Sequence, residues 1–274
     1  MTELRVACIQ KTATRDITAN VDWVCARIDE CVVEGAEFIA LPETVGLIEP
    51  VNEQIPAATY SEIDDIGLNA FRARAREHGV TILVGSQLIL ENDKIFNRSL
   101  LLDTNGEIRA RYDKLHMFDI ELKHGEAYRE SDAIAPGDKA IIVETPWGKL
   151  GLSICYDLRF GALYRALAQG GAEFITIPAA FTQTTGQAHW HTLVRARAIE
   201  TGAFIIAPNQ CGHHCDKRYS YGHSLIVDPW GEILADGGSE PGLIYADIDL
   251  EQVQKVRSRI PSLKNERSFT LEQQ

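Results

Sequence analysis

The segments EGAEFIALPE (34–43) and GGAEFITIPA (170–179) repeat one pattern. Each follows a stretch with helical spacing, enters through Gly-Ala-Glu-Phe-Ile and leaves through a proline. A short apolar run bounded by glycine and proline reads as a buried strand. The echo, though only ten residues long, points to two structurally related halves and so limits the folds open to the chain.

The rest of the pattern agrees. LRVACIQ (4–10) reads as a first strand. Val21, Val24, Ile28 and Val32 then fall at helical spacing within 18–35, and Gly35 is a natural stop. The echoed strands are expected over 37–43 and 172–178. Further helices are expected over 61–78, near 160–170 and near 187–201, with strands at 81–89 and 204–208. Asn105–Gly106 marks a hairpin within 94–113, and a second hairpin spans 140–155 with its turn near Pro146–Gly148. A pair around DPWGE (228–232) and a last strand near 243–247 complete the set. Strands mixed with helices throughout imply an α/β or α+β layered fold.

At 274 residues, 45% apolar and 24% charged, the chain has material for a sizeable core. A net charge of −12 weakens the case for nucleic acid or an anionic membrane as partner. MTELRVACIQ lacks the features of a secretory signal, and no apolar run approaches the roughly 18 residues of a membrane helix. Six cysteines without framework spacing read as reduced thiols in a cytoplasmic protein.

Three ionisable residues stand where predicted strands end: Glu43 after FIALP, Lys114 after IRARYD and Cys155 after GLSI. In open α/β sheets ligands bind beyond the carboxyl ends of strands. Singly, each has a plain structural reading: a solvated turn acid, an exposed lysine, a small buried hydrophobe. Together they have a chemical logic. A thiol has a reference pKa of about 8.5 and attacks well only as thiolate. A nearby ammonium stabilises that thiolate, and a carboxylate takes and returns protons.

These residues and their surroundings resemble the nitrilase superfamily of carbon–nitrogen hydrolases. The resemblance rests on LPET (41–44), YDKLHMFD (112–119) and SICYDLRF (153–160), in that order, with 71 residues from Glu43 to Lys114 and 41 from there to Cys155. It extends through YRES (128–131), AHW (188–190), RARAIET (195–201) and YGHSLIVDPWG (221–231). The resemblance implies a four-layer α-β-β-α sandwich of two similar halves over residues 1–274, pairing of subunits into a homodimer or larger homo-oligomer, and no metal or organic cofactor. Residues 250–274 match the family's C-terminal arm, although a frayed tail reads equally well from the sequence.

The resemblance also implies roles. Cys155 attacks an amide carbonyl, Glu43 is the general base, and Lys114 with the backbone N–H of Tyr156 holds the oxyanion. Glu130 orients Lys114 or the substrate nitrogen. The run Cys-Tyr-Asp-Leu-Arg-Phe resembles the amidase branches, where Arg159, Thr185 and Phe118 fall at ligand-contacting positions. Guanidinium binds carboxylates bidentately, so the implied substrate is a small amide carrying a carboxylate. Deaminated glutathione comes first, then the ω-amidase substrates 2-oxoglutaramate and 2-oxosuccinamate, then N-carbamoyl amino acids. The plainer readings are an Arg159–Asp157 pair and loop capping by Thr185.

A different class of function, metal binding, is offered by CGHHCD (211–216), whose side chains suit Zn²⁺. Its histidines are adjacent and no second pair stands nearby, so it reads better as a loop near the mouth of the site. A redox-sensing relative using an exposed thiol is a further reading, against which the intact Glu43, Lys114 and Cys155 argue. His116, His189, His191 and His223 carry no sequence feature that places one beside Cys155. His189 and Trp190 read as one packed helix face.

Overall fold

The computed structural model of the protein describes residues 3–121 and 127–273. The first half runs β1 (Glu3–Gln10), α1 (Ile17–Val33), β2 (Phe38–Ala40), α2 (Ile66–His78), β3 (Thr81–Glu91), β4 (Lys94–Leu102) and β5 (Ile108–Asp113). A ribbon of β6 (Asp119–Glu121) and β7 (Ala127–Arg129) leads into the second half. There follow β8 (Ile142–Glu144), β9 (Lys149–Leu152), α3 (Gly161–Gln169), β10 (Phe174–Thr176), α4 (Gln183–Thr201) and β11 (Phe204–Ala207). A second ribbon, β12 (Cys211–Cys215) with β13 (Arg218–Tyr221), precedes β14 (Leu225–Val227) and β15 (Ile233–Asp236). Finally β16 (Gly242–Asp249) and α5 (Glu251–Arg259) close the chain's regular structure.

Two six-stranded sheets result, ordered β16-β1-β2-β3-β4-β5 and β8-β9-β10-β11-β14-β15. They correspond strand for strand. In each, three parallel strands sit at the centre, joined through two helices, with one antiparallel strand on one side and two on the other. The echoed segments are therefore equivalent: they carry β2 and β10, the second parallel strand of each half.

Side-chain alternation along the central strands builds the layers. Ile39, Ile82 and Val84 face α1 and α2, packing on Val24, Ile28 and Phe71. Phe38, Ala40 and Leu83 face the other sheet and meet Leu150, Leu152 and Phe174. The fold is a four-layer α-β-β-α sandwich. Phe38 and Phe174, the same position of the two echoes, touch edge to face with centroids 5.9 Å apart. The local twofold relation thus runs through the inter-sheet core.

Several element bounds differ from the sequence reading. The helix expected over 61–78 starts at Ile66, because Ser61–Asp64 forms a polar turn and Asp65 caps the helix through the Leu68 N–H. The helix expected near 187 starts at Gln183. Polar TQTTG hides its periodicity, and Gly186 is required there because a Cβ would lie 2.3 Å from Tyr221 Cβ. β2 and β10 are shorter than expected, so Leu41–Glu43 and Ile177–Ala180 extend past the sheets.

All six cysteines are free. Among the described residues no helix is long and apolar enough to cross a membrane. Within 250–273, α5 packs on its own chain through buried Val253, and Arg257 bonds the Thr201 and Ala172 carbonyls. The segment after it is exposed, tied down through Glu266 to Arg165 and Gln169.

Because Phe174 fills the inter-sheet core, Phe174→Ala is expected to lower unfolding free energy by about 3–5 kcal/mol, read from denaturant melts.

Candidate active site

Glu43, Lys114 and Cys155 converge. Glu43 leaves β2 where β3 comes unusually close: a Cβ on Gly85 would lie 1.9 Å from the Leu41 carbonyl oxygen. The turn is pinned by Thr44 N–H to Ser86 Oγ (2.8 Å) and by Gln210 Nε2 donating to the Glu43 carbonyl (3.0 Å). Lys114 follows β5 and donates its N–H to the Asn97 carbonyl on β4. Cys155 opens a short 3₁₀ turn, Cys155–Arg159, directly after β9.

That turn is strained at the cysteine. Cys155 has φ +45, a left-handed conformation that costs a non-glycine residue free energy and clusters at functional sites. Its N–H donates to the Pro178 carbonyl at 2.9 Å. Asp157 holds the turn from beneath. Wholly buried, it accepts from Tyr112 Oη (2.6 Å), the Ile154 N–H (2.8 Å) and the His116 N–H (3.1 Å), with His116 Nδ1 at 2.6 Å. Asp157 therefore has no role as a partner for Arg159.

The charged groups form one buried network. Lys114 Nζ lies 2.9 Å from Glu43 Oε1 and 3.0 and 2.9 Å from the two Glu130 oxygens. Asn97 Nδ2 donates to Glu43 (2.9 Å) and Glu130 (3.2 Å). The Ala180 N–H donates to Glu43 Oε2 at 2.7 Å, and the Phe118 N–H to Glu130 Oε2 at 2.6 Å. The Cys155 thiol lies beside the Glu43 carboxylate, close enough for each to shift the other's protonation. Sequence reasoning missed Asn97 and Ala180; an uncharged amide inside a strand and a backbone N–H carry no local signal.

The network fixes the resting charges. Burial pushes Glu43 upward, but the Lys114 ammonium together with the Cys155 thiol and the Ala180 N–H outweighs it and holds the carboxyl below its usual range. Burial pulls Lys114 down, and Glu130 with Glu43 raises it well above the ordinary lysine value. Burial and the neighbouring Glu43 charge raise the Cys155 thiol, with Lys114 opposing. The expectation that the ammonium frees a thiolate is thus corrected: two carboxylates already outweigh one ammonium, so a further anion is disfavoured. At rest the site holds carboxylate, ammonium and thiol.

These groups form the floor of a cleft of about 1470 Å³. Phe118, Tyr156, Phe181 and Thr185 stand on its walls, and Thr185 Oγ1 pairs with Thr182 Oγ1 at 2.7 Å. Arg159 stands beside three residues of the cleft lining, Tyr156, Phe181 and His189. Its guanidinium stacks over Tyr156 and Phe181 and faces His189 Nδ1 at 3.3 Å. His189 itself lines the cleft, whereas Trp190 is wholly buried, so the two do not share a packed face.

In CGHHCD the buried His214 spends one nitrogen on the Ala13 carbonyl and the other on Ser220 Oγ, and burial lowers its pKa to about 4. The motif gathers no metal ligands among the described residues. The residues at its end and just after it, Asp216, Lys217 and Arg218, stand at the cleft.

The carbon–nitrogen hydrolase family model matches residues 5–258. The chain belongs to that family. It is 39% identical over 264 residues to the deaminated glutathione amidase of Synechocystis sp., covering 94% of this chain and 96% of that one. It is 32% identical over 274 residues to human omega-amidase NIT2, covering 98% and 96%. The C. elegans NitFhit crystal structure superposes with a TM-score of 0.90 at 34% identity, over 97% of this chain and 65% of that one. A mutant Nesterenkonia sp. AN1 amidase, carrying the acetamide moiety of fluoroacetamide covalently on its active-site cysteine, gives 0.81 at 26% identity over 96% and 94%. The nitrilase fold and its amidase branch, expected from the motifs, are borne out.

Two outcomes are expected. Cys155 sits above the ordinary thiol value, so its alkylation by iodoacetamide rises through about pH 9 without a plateau; an acidic plateau would mean a preformed thiolate. Asp157→Asn, which removes one acceptor charge under the turn, lowers stability by about 1.5–3 kcal/mol in denaturant melts.

Proposed function

We propose that the protein hydrolyses a small linear amide bearing a carboxylate, through a thioester on Cys155. The observation carrying this reading is the contact of one buried carboxylate, Glu43, with the thiol, the Lys114 ammonium and the Ala180 N–H.

Substrate enters with its carbonyl carbon over the sulfur. As Sγ attacks, its proton passes to Glu43, which is ionised and lies beside it. Proton transfer within the network keeps its charge constant until the negative charge moves onto the carbonyl oxygen. Lys114 and the Tyr156 N–H receive that oxyanion; one such donor is worth about 2.7–4 kcal/mol of barrier. Glu43 hands its proton to the departing nitrogen, the C–N bond breaks and a thioester remains. Water, deprotonated by the same carboxylate, then releases the acid and restores the thiol. Glu130 holds Lys114 with both oxygens, so the ammonium stays aimed while Glu43 changes protonation. The adduct on the Nesterenkonia amidase's cysteine supports covalent chemistry at the equivalent thiol.

The carboxylate preference rests on how the cleft's charges are spent. Glu43 and Glu130 are paired with Lys114, and Glu49 and Asp216 with Arg15. Lys217 and Arg218 have no carboxylate partner among the described residues. Arg218 bonds the Ala180 carbonyl through Nη2 (2.6 Å) and lies over the Tyr128 ring, while its buried Nη1 is unpartnered. In a chain of net charge −12, this leaves a local cationic wall suited to an anionic substrate.

Deaminated glutathione is the first candidate, by likeness to amidases so named; the ω-amidase substrates are second. We also assign the exposed 260–273 segment to contact with a second copy in a homo-oligomer, in a cytoplasmic protein.

Cys155→Ala is expected to abolish turnover while leaving the melt unchanged, and intact-mass spectrometry of the native chain with substrate should show an acyl increment on Cys155. Full activity in Cys155→Ala ends the mechanism. Arg218→Ala should raise KM for a carboxylate-bearing amide at least tenfold and leave the matching neutral amide nearly unaffected; equal losses on both would remove Arg218 from carboxylate recognition.

A further inference from the structure

Outside the cleft, His191 on α4, His223 before β14 and Asp236 at the end of β15 converge from three segments. One nitrogen of each imidazole and a carboxylate oxygen lie within 4.8 Å of one another. Asp236 uses both oxygens: Oδ2 is 3.1 Å from His191 Nε2, and Oδ1 is 2.9 Å from His223 Nδ1. We propose that these residues form a binding site for a divalent first-row transition ion, with Zn²⁺ as the test ion.

The donor set fits such an ion. Imidazole nitrogens suit zinc, copper and nickel, and bonds of about 2.0–2.2 Å to nitrogen and carboxylate oxygen place ligand atoms about 3.3 Å apart in a tetrahedron. The two nitrogens stand 3.1 and 2.9 Å from the Asp236 oxygens and the whole set lies within 4.8 Å, so side-chain rotations bring the three ligands to that spacing. Each imidazole that donates to Asp236 moves its proton to the far nitrogen as the ion takes the near one, and ring charge is unchanged. His191 and His223 are half-buried and Asp236 exposed, which leaves room for water in the remaining position.

The ligands are also held before any ion arrives. His223 has φ +53, its carbonyl accepts from Trp190 Nε1 at 2.7 Å, and its N–H donates to the Gly238 carbonyl. The Gly238 N–H donates to Asp236 Oδ1 at 2.9 Å. Tyr221 stacks on the His223 ring and meets the His191 ring edge-on. Such outer contacts orient metal ligands. A bound ion would tie α4 to β14 and β15 behind the cleft wall, since Trp190 packs on cleft-lining Phe181 with centroids 5.0 Å apart.

The test uses the full-length Cys155→Ala chain, in which the buried thiol cannot ligate, stripped with chelator and titrated with Zn²⁺ by calorimetry and thermal melts. One ion per chain is expected, with Tm rising about 5 °C at a hundredfold excess over Kd. His191→Ala and Asp236→Asn should each weaken binding at least tenfold and cut the Tm rise at that Zn²⁺ concentration by half or more. His213→Ala, in the CGHHCD ribbon, should change neither. Absence of saturable binding, or binding that His213→Ala removes and His191→Ala does not, overturns the site. None of these readouts depends on amide hydrolysis.

Discussion

A lysine ammonium buried between two carboxylates, where the two sheets' strand ends meet, is the interaction on which the site depends. Removing three charges from water is costly, and mutual attraction compensates only when the remaining lone pairs and protons are also satisfied. Here Asn97, the Ala180 N–H and the Phe118 N–H complete that shell. The excess of carboxylate over ammonium then dictates the chemistry. It raises the Cys155 thiol above its ordinary value and so keeps it protonated at rest. The network places a carboxylate beside a thiol without an imidazole.

The local twofold relation explains where the network lies. Glu43 closes one echoed segment, and Ala179 occupies the matching place in the other. The next residue, Ala180, donates its N–H to Glu43 across the boundary between halves. A symmetric scaffold thus carries an asymmetric pair, acid on one side and backbone donor on the other. The core beneath is built from the same equivalence, with Phe38 meeting Phe174. The strained Cys155 turn is held over this junction by Asp157, whose three hydrogen bonds and His116 contact come from two segments.

Charge is distributed unevenly around that junction. The chain is acidic overall, yet its cleft acids are paired internally, and Lys217 and Arg218 have no carboxylate partner among the described residues. Behind the same wall, histidines that play no part in the thiol chemistry gather around Asp236. Where a histidine falls in this sequence therefore says little about what it does. His116 braces the turn, His214 is consumed by packing, and His191 with His223 faces one carboxylate.

The sequence by itself determined the two halves, most strands and helices, and the identity of Glu43, Lys114 and Cys155. Apolar periodicity, turn residues and strand ends are local signals, and the motifs around those three residues are contiguous. Tertiary structure alone decided that Asn97 and the Ala180 N–H complete the carboxylate shell and that Asp157 supports the turn instead of pairing with Arg159. It also packed Arg159 on Tyr156, Phe181 and His189 and left Arg218 with a free nitrogen beside the cleft. These are pairings between residues far apart in the chain, chosen by burial and by competition for hydrogen bonds. No stretch of sequence carries that competition's outcome, because each group's partner is set by what the fold brings within about 3 Å of it.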